Sequence, residues 1–244
     1  LDSLNNLSDD DFPCYMERNF EVNHYLKTLA VELIIGHWDG HAYNKNNFYL
    51  YRQPSNGKFV FIEYDLDNTF GIDWFGIDWA NRDLNEWHET NRPLVERLLE
   101  IPYYKDVFNA YLDTLLTDLD TSNWYSDLLA QQNMIKSAVQ SDTYYRKDYG
   151  FQFSDFLDAL DDNYGAHVKK GLAEYLDERI TSGLSQVDWI GNLEPPCDEL
   201  PIEPERQIIK IVDFIGRETQ FRTDIPLIIM YDDGTVEKVM VWGS

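Results

Sequence analysis

Residues 36–47 read GHWDGHAYNKNN, with two histidines four apart, an aspartate between them and three asparagines behind. Two chemistries compete for this pattern. A His-x-x-x-His pair on one helical face is a zinc pattern, with a glutamate after the first histidine as general base. Here Trp38 stands in that glutamate's place, and Gly40 disfavours a helix running through His37 and His41. Each histidine is instead expected to hydrogen-bond locally and hold the loop; His24, His88 and His167 have no sequence partners and read as structural. The rival chemistry is phosphoryl transfer. It needs an aspartate to orient or deprotonate the attacking hydroxyl and an asparagine five residues later to hold a metal. It also needs a second aspartate, after a short hairpin, for the metals that bridge nucleotide phosphates. The chain supplies Asp39, then Asn44, then Asp65 and Asp67 in DLDNTFG.

Those residues need elements to carry them, and the periodicity supplies candidates in the right order. Val22, Leu26, Leu29 and Leu33 fall at helical spacing, widened by Tyr25, Ala30 and Ile34, so residues 20–35 are expected to form a helix ended by Gly36. GHWDGHAYN then reads as a loop. NFYLYR and KFVFIEY flank the turn sequence QPSNG and read as an antiparallel hairpin. Alternation after Phe61 and Glu63 would put Asp65 and Asp67 on one side if the strand persists. The doubled pentamer FGIDWFGIDW, residues 70–79, is too short for a solenoid and reads as an ordered loop lining a groove.

Arg92 to Val187 is expected to be helical, with Val107, Tyr111, Leu115 and Leu119 on one stripe and Val168, Leu172, Leu176 and Ile180 on another. Trp124, Tyr144, Tyr145 and Phe156 read as core aromatics. Residues 189–206, WIGNLEPPCDELPIEPER, carry four prolines and several acids and read as a linker. QIIKIVDFIG, IPLIIMY and TVEKVMVW read as strands of a small module, the last two joined by an Asp-Gly hairpin turn.

The 244 residues include 20 Lys+Arg and 44 Asp+Glu, a formal charge of -24. Such a chain repels phosphate backbones and anionic lipid, so nucleic acid is not an expected partner. Most of these carboxylates read as a solvated surface. No apolar run is long enough to span a bilayer. The start at Leu1, without methionine or a signal-like segment, leads us to expect a piece of something longer. Cys14 and Cys197 could form one disulfide in an oxidising compartment, but their spacing leaves the redox state open.

HWDGHAYNKNNFYLYRQPSNGKFVFIEYDLDNTFGIDW resembles the core of the CotH family, named for a bacterial spore-coat protein, whose members are similar to atypical kinases. FEVNHYLKTLAVELIIG, RPLVERLL and GLAEYLDERI extend the resemblance over residues 1–188. It implies a secreted kinase that binds ATP with Mg2+ or Mn2+ and phosphorylates serine or threonine in protein substrates. Asp39 would be catalytic, and Asn44 with Asp65, Asp67 or both would hold the metal and nucleotide. The implied fold is α+β: a mostly helical carboxyl lobe with the hairpin at the active site, then a small β-sandwich-like module over residues 207–244. The amino lobe, with its phosphate-binding lysine, is expected to be missing. Lys27 and Lys58 read as surface charges, and the fragment alone is expected not to transfer phosphate.

The tail, IIKIVDFIGRETQFRTDIPLIIMYDDGTVEKVMVW, resembles the carboxyl-terminal sorting domain of the type IX secretion system of Bacteroidetes. That implies the secretion machinery as a partner and a secreted or cell-surface location. Two other functions fit the carboxylates. One is a pseudokinase or surface binding module in which Asp39, Asp65 and Asp67 hold a cation that stiffens loops. The other is a carbohydrate hydrolase with Trp74 and Trp79 as a sugar platform.

Overall fold

The structure, a computed structural model, describes residues 2–147, 150–191, 193–197, 207–213, 216–222, 227–232, 234 and 236–239. Helices α1 (Asp2–Asn6), α2 (Phe12–Asn19) and α3 (Val22–Ile34) lead to a one-turn α4 (His41–Asn44) and the antiparallel strands β1 (Phe48–Arg52) and β2 (Phe59–Glu63). Helices α5 (Pro93–Leu99), α6 (Pro102–Thr121), α7 (Trp124–Ser141), α8 (Phe153–Asp158) and α9 (Leu172–Gln186) follow. Strands β3 (Ile208–Asp213), β4 (Leu227–Tyr231) and β5 (Val236–Val239) complete the chain. Helices and small antiparallel sheets together make this an α+β protein.

Helix α3 forms where its apolar spacing requires, and Val22, Tyr25, Leu26, Leu29, Ala30, Leu33 and Ile34 are all buried. It packs on α6, α9 and β2, so it is the post on which the site loop is mounted. Proline occupies the first turn of α5 and α6, where its missing N–H costs no helical bond. The buried stripe of α6 is Tyr104, Phe108, Leu112 and Leu116, not the expected Val107, Tyr111, Leu115 and Leu119, which pack only partly buried at its margin. Both rows are apolar and follow the same period, so only the neighbours α3 and α9 decide which one faces inward. The aromatic assignments also shift. Tyr144 is exposed, Trp124, Tyr145 and Phe156 are half-buried, and α7 has no buried residue.

Arg179 on α9 is wholly buried, and its guanidinium donates to the carbonyls of Ala80, Arg82 and Leu33. Burial lowers its pKa, and the ring of Trp87 lies under the charge. One side chain thus ties α9 to the end of α3 and to the segment after the doubled pentamer.

Among the described residues the tail forms one three-stranded sheet, order β3-β4-β5, antiparallel throughout, a single layer and not a sandwich. Residues 192 and 198–206 of the linker and residues 240–244 lie outside the described residues. Cys14 on α2 and Cys197 form a disulfide across a sequence separation of 183. Closing so long a loop restricts the unfolded chain, and by chain entropy a tie of this length contributes about 5 kcal/mol. A Cys14→Ser/Cys197→Ser double variant is expected to unfold at a lower denaturant midpoint. Coincident urea curves for variant and parent would rule that contribution out.

Candidate functional site

The loop after α3 is positioned by contacts distant in sequence. Gly36 adopts φ +73°, and a Cβ there would sit 2.3 Å from the hydroxyl oxygen of Tyr175. That hydroxyl donates to the Ile34 carbonyl at 3.0 Å, so α9 clamps the exit of α3. The N–H of Phe70 donates to the Ile35 carbonyl at 2.7 Å, and the Trp38 indole N–H donates to the Ile72 carbonyl at 2.7 Å. The segment carrying Asp39 is therefore stitched to the segment that follows Asp67.

The stretch GHWDGHAYN is not wholly irregular, because His41–Asn44 makes the single turn of α4, entered from an extended Gly40. Buried Arg92 holds that turn, donating to the carbonyls of His41 at 3.2 Å, Thr90 at 2.5 Å and Tyr43. The two histidines do not share a site. His41 lies among the rings of Tyr25, Phe48 and Phe61. Burial, then Arg92 and Lys45, lower its pKa to about 4, which keeps it neutral at physiological pH. His37 is 1 % exposed, and its ring makes no hydrogen bond within its own loop; the acceptor it faces is the Asn68 carbonyl, beyond the hairpin. The expected bonds that would hold the His37 loop locally are therefore not made.

Asp39 is half-buried and held on both oxygens. The amide of Asn44 donates to Oδ1 at 2.5 Å, and the amide of Asn47 donates to Oδ2 at 2.9 Å. Asn44 belongs to the expected site; Asn47 was missed, because nothing in the spacing distinguishes it from Asn46. Asp65 and Asp67 are both exposed. The strand does not persist to carry them, since β2 ends at Glu63 and Asp65 takes a left-handed backbone, φ +53°. The alternation argument therefore fails, and the turn aims the two carboxylates independently. Asp67 accepts the side-chain amide of Asn68 at 2.9 Å and borders a cavity of about 590 Å³. Trp38, Ile72, Trp74, Phe151 and Tyr164 line that cavity, whereas Asp39, Asn44 and Asp65 do not.

His37 links the two halves electrostatically. Burial lowers its pKa, while Asp39, the Asn68 carbonyl, Asp67 and Asp65, in that order, raise it. Asp39 and the Asp65–Asp67 turn thus act on one imidazole. Among the described residues no three His, Cys, Asp or Glu side chains are grouped closely enough to hold a metal by themselves. A cage of three such side chains is therefore not formed among these residues. The oxygens of Asp65, Asp67 and Asn44 match the sparser habit of Mg2+, which takes one or two carboxylates and completes its shell with water and phosphate oxygens.

Of the doubled pentamer only Ile72 and Trp74, both in its first copy, line the cavity, and the two copies differ. Trp74 is 57 % exposed and stacks on His167 at 3.7 Å between centroids, whereas Trp79 is 1 % exposed. A sugar platform built from both rings is therefore ruled out. Buried Asp73 accepts the N–H groups of Phe75, Gly76 and Ile77 and the Trp79 indole. Burial raises the pKa of Asp73, but these four donors outweigh it and the net shift is downward. Asp73 is the loop's anchor.

Residues 1–181 match the family described as CotH kinase protein. The chain is also similar to Invasin CotH2 of Rhizopus delemar, 39% identical over 57 residues, 23% of this chain and 10% of that protein. Invasin CotH7 of the same fungus is 28% identical over 120 residues, 46% of this chain and 20% of that protein. Inner spore coat protein H of Bacillus subtilis is 26% identical over 146 residues, 59% of this chain and 39% of that protein. The chain thus spans well under half the length of each of these relatives.

Proposed function

This chain belongs to the CotH family, and from that premise we propose that it is part of an exported protein kinase transferring the γ-phosphate of ATP to serine or threonine of protein substrates. The observation that carries this reading is the double grip of Asn44 and Asn47 on Asp39, beside a turn whose carboxylates act on the same buried His37. A carboxylate held on both oxygens keeps its orientation and still has lone pairs to receive an acceptor hydroxyl. Asp39 is the group that orients that hydroxyl and takes its proton.

Asn44 and Asp67, with Asp65 in support, hold the cation. The side-chain amide nitrogen of Asn44 is committed to Asp39, which leaves its carbonyl oxygen for the metal. Asp67 ranks first of the pair because it borders the cavity. The magnesium nucleotide supplies the phosphoryl group and neutralises the charge that develops on it. Ile62 and Tyr64 precede this turn in sequence and Tyr49 lies against them across the hairpin, and their exposed faces offer an apolar bed for a purine ring.

The resemblance of the tail to a type IX sorting domain supports a secreted or surface location. So do the printed names of the relatives, a spore coat protein and two invasins. No helix among the described residues is long and apolar enough to cross a membrane. Those invasin names also favour a second reading, a surface binding module that performs no transfer. Full-length protein incubated with γ-labelled ATP, Mg2+ and serine-containing acceptor proteins decides between the two. Label in the acceptor that disappears with a chelator is the expected result, and an unlabelled acceptor across that panel supports the binding module.

A further inference from the structure

We propose that Asn47 is a positioning residue that fixes Asp39 and couples it to the Asp65–Asp67 turn. The proposal rests on the reading of Asp39 as the group that engages the acceptor hydroxyl.

Asn47 makes two contacts in opposite directions. Its side-chain amide donates to Asp39 Oδ2 at 2.9 Å, and its backbone carbonyl accepts the N–H of Tyr64 at 2.9 Å. Tyr64 directly precedes Asp65, and the next rung of the ladder pairs Phe48 with Glu63. Asn47 therefore links the catalytic carboxylate directly to the entry of the metal-binding turn, while the Phe70–Ile35 and Trp38–Ile72 bonds hold the segment after it. Asn44 cannot do this alone, since its carbonyl oxygen is the atom left for a cation and its amide must follow any adjustment there. Asn47 has no such second duty and is half-buried, whereas Asn44 is exposed.

The residue type fits both requirements. Asn47 adopts φ +52°, a left-handed conformation that asparagine tolerates better than most side chains. An amide also donates to the carboxylate without adding charge beside it. Aspartate has nearly the same shape but presents only acceptors, so it would repel Asp39.

Asn47→Gly keeps the left-handed backbone and the carbonyl while deleting the amide. In the full-length protein it is expected to lower kcat roughly 30- to 100-fold, the scale on which small misplacements of a reacting group act. KM for the magnesium nucleotide should stay within about twofold, because Asn47 is not among the groups assigned to it. A merely structural residue would reduce the folded fraction and leave kcat per folded molecule alone. A kcat per folded molecule within about threefold of the parent overturns the proposal. The contact itself has a readout that needs no activity. Asn47→Asp is expected to lower Tm by about 3 °C, and the exchange Asp39→Asn/Asn47→Asp to restore most of it, since the amide and carboxylate then swap ends. No recovery in the exchange variant refutes the contact. Absence of transfer by the parent removes the kinase reading and the kinetic role of Asn47 with it, while the Tm comparison still decides whether the pair is coupled.

Discussion

Replacing Asp39 by alanine in the full-length protein is expected to reduce phosphate transfer by about 10³-fold, within the range that a positioned general base contributes. The variant should still fold. Asp39 is half-buried, and the two amides it releases, on exposed Asn44 and half-buried Asn47, lie where water can reach them. Nucleotide affinity should change only a few-fold, because the cation is assigned to Asn44 and the Asp65–Asp67 turn. Asp67→Ala is expected to differ in kind, with nucleotide binding and turnover lost together. Labelled-phosphate transfer and calorimetric titration with the magnesium nucleotide measure the two quantities separately. Equal labelling by the parent and Asp39→Ala would falsify the catalytic assignment.

The second large effect lies at Glu32 on α3, a carboxyl that is 2 % exposed with Oε1 unpartnered. It borders a cavity of about 300 Å³ that it shares with Glu63, His24 and Lys27. Burial, then the charge of Glu63, raise its pKa from 4.5 to about 8. A carboxyl raised in the folded state favours folding while the unfolded chain is also protonated, below about pH 4.5. Stability then falls as pH rises toward 8, because only the unfolded chain can ionise freely, and the loss is complete once the folded group ionises too. The full span corresponds to on the order of 5 kcal/mol. His41 works in the opposite sense: its pKa is lowered to about 4, so its contribution is present above its ordinary 6.5 and is lost as pH falls through 4. The window from about 6.5 to 8 therefore isolates Glu32. Glu32→Gln, neutral at every pH, is expected to match the parent near pH 4 and to melt several degrees higher at pH 8. Parallel Tm–pH curves for parent and variant would show that this carboxyl is not buried as described.

Much of the fold was legible because it follows from local order. The apolar face of α3, the hairpin around QPSNG and the antiparallel pairing of β4 with β5 depend on spacing and turn chemistry within a few residues; the expected Asp-Gly turn includes Asp233, which lies outside the described residues. Asp39 and Asn44 were singled out by their spacing alone, whereas the hydrogen bond between them came only from the structure. Asn47 was not legible, because its role depends on Asp39 and Tyr64 at once and the second lies across the hairpin. The inward row of α6 was not, because two apolar rows with the same period compete and only the packing partners choose.

By itself, then, the amino-acid order determined the helix before the site loop and the hairpin after it, but not the break in the expected helical run between α8 and α9, where Val168 pairs with Ile72 and Tyr164 instead of joining the stripe of α9. Tertiary structure alone decided the pairing of Cys14 with Cys197, 183 positions apart, and the opposite fates of two identical pentamers. FGIDW occurs twice in succession, yet the first copy buries its aspartate and exposes Trp74, while the second exposes Asp78 and buries Trp79. Identical letters have identical local preferences. Burial depends on what packs against them, and here Trp79 meets Trp38 and Trp87 while Trp74 lies against His167 at the cavity rim.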